Sequence, residues 1–162
     1  MCIRDSLYGM WCKDINTIVL GKDYFDESQM FSGTDRLSMA VQPKAIEWFR
    51  ESFKPSGVNI VFEGDRLFTA SFLTEIVEMQ HDIECIYIKA TQSTLDERHV
   101  SRADNQDDKF LNSRKTKLAN ILSNFELMPY ITEFDNNDEG DRDRLVDLLL
   151  GKLDVGKIIF ED

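Results

Sequence analysis

Four short apolar runs rich in Val, Ile, Phe and Tyr, Thr17 to Leu20, Val58 to Phe62, Ile83 to Ile88 and Ile131 to Phe134, alternate with stretches of helical periodicity. That alternation restricts the fold more than any other feature. Strands joined through helices lie parallel, and right-handed crossovers cover both faces of their sheet. The near-continuous apolar run Val58, Ile60, Val61, Phe62 predicts a central strand buried on both sides. Helices are expected from Pro43, with Ala45, Ile46, Phe49 and Phe53 at helical spacing up to the break Lys54-Pro55-Ser56-Gly57, and over Leu67 to Met79. Two more are expected, one from the capping-box-like Ser93-Thr94-Leu95-Asp96 and one over Gln106 to Phe125. Thr132 to Asp162 places ten acidic and four basic residues around Leu145-Val146 and Leu148-Leu149-Leu150, which reads as a terminal amphipathic helix with a solvated acidic face.

A chain of 162 residues without repeat or low-complexity linker fits one domain. Its 19 basic against 30 acidic residues give a formal charge of −11, so it repels phosphate backbones and anionic membranes, and general nucleic-acid binding is disfavoured. The apolar runs fall far short of the roughly 18 residues of a membrane helix, and no signal pattern opens the chain. Cys2, Cys12 and Cys85 form no metal spacing and are odd in number, which fits a reducing compartment. A soluble, cytoplasmic protein is expected. The start Met1-Cys2-Ile3-Arg4-Asp5-Ser6 looks like adapter read-through at the broken end of a reading frame, so residues before about Leu7 are expected to carry no fold information. The plain alternative is an ordinary polar start. His81 and His99 lack a partner at metal spacing.

In open α/β sheets ligands bind beyond the carboxyl ends of the strands, which points at Glu63-Gly64-Asp65-Arg66. Carboxylates there can hold Mg²⁺ or accept a proton from a hydroxyl, and an arginine fork can clamp a phosphate. Equally, Asp65 can simply cap the following helix while Arg66 pairs with Glu63.

Between Arg98 and Lys117 lie six of the 19 basic residues, around the polar turn Ala103 to Asp108. Arg98 and Arg102 share a helix face. Arg114 falls within the apolar stripe of Phe110, Leu118, Ile121, Leu122 and Phe125, so it must meet either a carboxylate or an anion. Residues 92–117 are a candidate lid over a polyphosphate, or a solvated charged hairpin. The loop Gly33 to Pro43 offers Asp35, Arg36 and Gln42 to the edges of a small polar substrate, or merely connects two elements.

The order of these pieces resembles the P-loop nucleoside and nucleotide kinases, most closely the P-loop kinase-like proteins of tailed phages, over about residues 16–150. Val58 to Arg66 is similar to their Walker B-type strand with the acid-arginine pair after it. Asp35-Arg36-Leu37-Ser38-Met39-Ala40-Val41-Gln42 resembles the Asp-Arg-Tyr, small residue, Gln substrate motif of thymidylate kinases, though shorter. Ile86 to Ala90 with Leu95, Arg98 and Arg102 looks like the strand and arginine-bearing helix that begin the lid. The resemblance implies a three-layer parallel-sheet P-loop fold, incomplete at the N-terminus, from an ATP- and Mg²⁺-dependent phosphotransferase. In that reading Glu63 and Asp65 serve as base or Mg²⁺ partners and Arg98, Arg102 and Arg114 stabilise charge in transfer. Asp35, Arg36, Gln42 and Arg66 bind the nucleoside or nucleotide acceptor. The chain departs from the family in having no Gly-x-x-x-x-Gly-Lys-Ser/Thr string. A truncated start would remove that loop; a non-catalytic interaction or regulatory protein on the same fold is the alternative.

Overall fold

The computed structural model describes residues 2–4, 7–26, 28, 32–51, 57–102 and 108–153, excepting the side chains of Arg4, His99, Ser101, Arg102, Asp108 and Phe110. The expected helix end at Phe53, the break Lys54-Pro55-Ser56 and the lid turn at 103–107 lie outside the described residues. The four predicted strands are present as β3 (Thr17–Leu20), β4 (Asn59–Val61), β5 (Cys85–Lys89) and β6 (Ile131–Asp135), preceded by β1 (Cys2–Arg4) and β2 (Leu7–Cys12). The helices are α1 (Val41–Glu51), α2 (Ala70–Glu78), α3 (Gln92–Arg102), α4 (Asp108–Leu122) and α5 (Glu139–Lys152). None of the described helices is long and apolar enough to cross a membrane.

The described strands form two sheets where one was expected. One has the order β1-β2-β3-β4, and β5 pairs with β6 in the other. The β3–β4 and β5–β6 pairs are parallel, as the intervening helices require, with Ile18 opposite Ile60 and Tyr87 opposite Glu133. The β1–β2 and β2–β3 pairs are antiparallel. A tight turn through Lys13–Ile15 and the left-handed Asn16 (φ 45°) joins β2 to β3, a link too short for anything but a hairpin. The expectation that residues before Leu7 carry no fold information is corrected here, since Cys2 and Arg4 pair with Tyr8 and Leu7. So is the central, doubly buried β4. It lies at the edge of its sheet, and Asn59, Ile60 and Val61 are only half-buried. An apolar run reports that a strand is covered, and Ile60 and the following Phe62 do pack against the core; it does not report how many strands flank it.

Pro43 is the third residue of α1, in the first turn where a missing N–H leaves no helical bond unmade. Thr69 caps α2 by accepting from the Phe72 N–H at 3.3 Å, so Leu67 lies in the preceding turn, fully buried. Thr91, rather than Ser93, holds the start of α3, its hydroxyl accepting from the Thr94 N–H at 3.3 Å. A reciprocal Asp138–Asp141 capping box starts α5. The core joins α1 to α2: Phe49 meets Trp48 and Phe72 edge-on at centroid distances of 5.0 and 6.3 Å, and Phe62 meets Phe72 at 6.0 Å. Leu7, Leu20, Leu67 and Leu127, from four separate segments, are completely buried in that same cluster.

Cys85 opens β5 inside this core, and burial, with Glu84 adding to it, pushes its thiol up to about 11. A group whose proton is held more tightly when folded than when unfolded makes stability fall as pH rises through that interval. Urea unfolding is therefore expected to weaken between about pH 9 and 11, and to weaken less in Cys85→Ala; equal pH dependence in the two proteins would contradict it.

Candidate functional site

Two glycines bring the site together. Gly21 ends β3 at φ +124° and Gly33 has φ +67°. Their backbones cross so closely that a Cβ on Gly21 would fall on the Gly33 main chain. Lys22 and Gly33 exchange hydrogen bonds, N–H to carbonyl, of 3.1 and 2.8 Å. The crossing delivers the single 3-10 turn Thr34–Arg36 to the end of β4. There the Thr34 hydroxyl donates to the Glu63 carbonyl, and the Asp35 carboxylate accepts from the Asp65 N–H at 2.6 Å. Gly64 (φ +100°) leaves room for this contact, since a Cβ there would sit 2.6 Å from the Thr34 hydroxyl.

From the far side, α4 contributes two cations. Lys117 Nζ donates to Asp65 Oδ2 at 2.5 Å, and Arg114 lies between Asp35 and Asp65 at 3.8 and 4.0 Å. Of the two outcomes open to Arg114 in the sequence, the structure shows a carboxylate partner. The Glu63 carboxylate lies over Gly33 near the Tyr24 phenol. Burial, then the Asp35 charge, raises its proton affinity, and Arg114 opposes the rise. Tyr24 donates to the Leu20 carbonyl at 2.6 Å and is pushed up to about 12 by burial, then by Glu63 and Asp35.

Glu63, Asp65, Asp35 and Arg114 are thus brought together, with Lys117, which the sequence reading placed in the basic cluster of Arg98, Arg102, Arg114, Lys115 and Lys117 without a role of its own. Its signal was the three-residue spacing from Arg114 on one helix face. Tyr24 carried no such signal. Gln42 donates to the Arg66 carbonyl at 2.7 Å and ties α1 to the turn, while Arg66 Nε is buried without a hydrogen-bond partner. Arg36 turns away, donating to Asp23 at 2.9 Å. Arg98 lies at the carboxyl ends of β5 and β6, 3.5 Å from Asn136, and the Arg102 side chain is outside the described residues. The plain reading of Asp65 as the α2 cap is excluded, because Thr69 fills that position.

The described residues do not fit the Mg²⁺ expected of Glu63 and Asp65. Both Asp65 oxygens already face cations, the neighbouring Glu63 binds its proton more tightly than an ordinary carboxylate, and no three His, Cys, Asp or Glu side chains are grouped as ligands among the described residues. Beside the charged cluster lies an open cleft of about 500 Å³, lined by Tyr8, Met10, Lys22, Asp23, Tyr24 and Phe25. Lys22 Nζ sits 5.3 Å from the Tyr8 ring centre. Tyr24 borders both spaces, and Asp23 carries Arg36 at the cleft edge. Comparison of the chain with protein-family models, curated proteins and solved structures yields no match.

Proposed function

We propose that this cleft is the acceptor side of an ATP-dependent phosphotransferase acting on a nucleoside or nucleotide, whose phosphate cradle is not among these residues. One observation carries the reading: Lys117 reaches Asp65 across 52 residues of chain and brings Arg114 with it, so α4, the 34–36 turn and the end of β4 converge on one charged cluster at the carboxyl end of β4, with the open cleft beside it. Glu63, with raised proton affinity, suits acceptance of a proton from an attacking hydroxyl. Arg36 and Arg66 present guanidinium groups to an anionic acceptor, and Arg114 is placed to offset charge developing on a transferred group. Mg²⁺ would arrive with the ATP phosphates rather than on Asp65. Among the described residues β4 pairs only with β3 and β5 only with β6, leaving one edge of each open, which supports the reading that a strand is missing from the sheet.

Positioning by a Gly-rich loop is most of phosphoryl-transfer catalysis, and this sequence has no such loop. The chain as it stands is therefore expected to show no ATP turnover above background in a coupled ADP-release assay. Turnover above background would contradict the reading that the phosphate cradle lies outside these residues.

The second reading, a non-catalytic interaction or regulatory protein, draws on the self-pairing of the cluster. Arg114 and Lys117 are paired with the carboxylates of Asp35 and Asp65. It predicts that no nucleotide binds.

A further inference from the structure

The two halves of α4 are held differently. Its carboxyl end is anchored in the core by Ile121, 7% exposed, and just beyond it Asn124 donates to the Thr74 hydroxyl at 3.4 Å and Leu127 is fully buried. From Lys109 to Lys117, by contrast, none of the described side chains is buried. Arg114 and Lys117, one turn apart on one face of this half, reach Asp35 and Asp65. The carboxylates belong to the fixed partner: their side chains are 24% and 15% exposed, and Asp35 is already oriented by the Asp65 N–H. The cations are the more exposed members, at 42% and 35%.

We infer that the amino-terminal half of α4 is an electrostatic latch, closed over the strand ends by Lys117 and Arg114 on Asp65 and Asp35 and released when salt screens those pairs or a partner is neutralised. A charge-assisted hydrogen bond of this kind is worth about a tenfold or greater change in an opening equilibrium, and partly exposed pairs lose much of that as the Debye length shrinks. The inference does not depend on the phosphotransferase reading, because the latch needs no ligand.

Amide hydrogen exchange resolved by residue tests it on the intact chain. Raising NaCl from about 0.05 to about 0.5 M is expected to speed exchange of amides 112–117 by roughly fivefold or more, while amides 119–122 hold their rates. In Lys117→Met the same amides should exchange fast at low salt, with the salt response largely gone. Unchanged protection at 112–117 in the salt series would overturn the latch. So would an equal acceleration along the whole of α4, or a Lys117→Met protein that keeps the original protection and salt response. The salt series uses the unaltered protein, so the test stands even if the variant folds poorly.

Discussion

Gly21→Ala is expected to destabilise the fold by about 3–5 kcal/mol, from a left-handed backbone that costs a side chain about 1–3 kcal/mol and a steric overlap of similar size. The overlap is with the Gly33 main chain, which cannot rotate aside as a side chain could. Gly57→Ala is the internal control. Its φ of +71° is also unfavourable for a side chain, but among the described residues a Cβ there meets nothing within 4 Å, so the backbone cost of about 1–2 kcal/mol dominates. Urea midpoints for the two variants should therefore separate clearly. If they coincide, the close crossing of residues 21 and 33 is not how the Asp35 turn is held at β4. In Gly33→Ala the atom in the way is the end of the Glu63 side chain, so part of the cost should appear as a displaced carboxylate.

Phe72→Ala should cost a comparable 3–5 kcal/mol. Phe72 is 1% exposed and packs edge-on against both Phe49 of α1 and Phe62 after β4, so its removal leaves a cavity that spans two elements. Trp11→Ala, at a ring 42% exposed on β2, should cost much less although it removes a larger side chain. A Phe72→Ala protein with a near-unchanged midpoint would mean that α1 and α2 do not share one core.

Much of this architecture could be read from the residues. The strands at Thr17, Val58, Ile83 and Ile131 showed themselves by β-branched and aromatic runs, and the parallel pairing of β3 with β4 and of β5 with β6 followed from the helices between them. What could not be read is how the strands were divided into sheets. The β2–β3 hairpin was overlooked because Leu7 to Cys12 mixes Gly, Met and Trp without alternation, and its turn relies on Asn16 rather than a Gly pair. In the site, Arg114 stood out as a charge among apolar residues, but its side chain is 42% exposed, so its pairing did not follow from burial. Which carboxylates pair it depends on the Gly21–Gly33 crossing, a contact between two backbones twelve residues apart that leaves no periodic trace in sequence. The direction of Arg36 was hidden for the same reason: Asp35 faces the end of β4 while Arg36 reaches back to Asp23 at the edge of the cleft.

The central claim, that this cleft accepts a nucleotide, is tested most directly by calorimetric titration of the unaltered chain with nucleoside 5′-monophosphates and with ATP. Binding of at least one monophosphate with Kd at or below about 1 mM is predicted, weakened roughly tenfold or more by Arg114→Ala and by Arg36→Ala. No binding of any nucleotide at several-fold higher concentration, or binding indifferent to both substitutions, would contradict it.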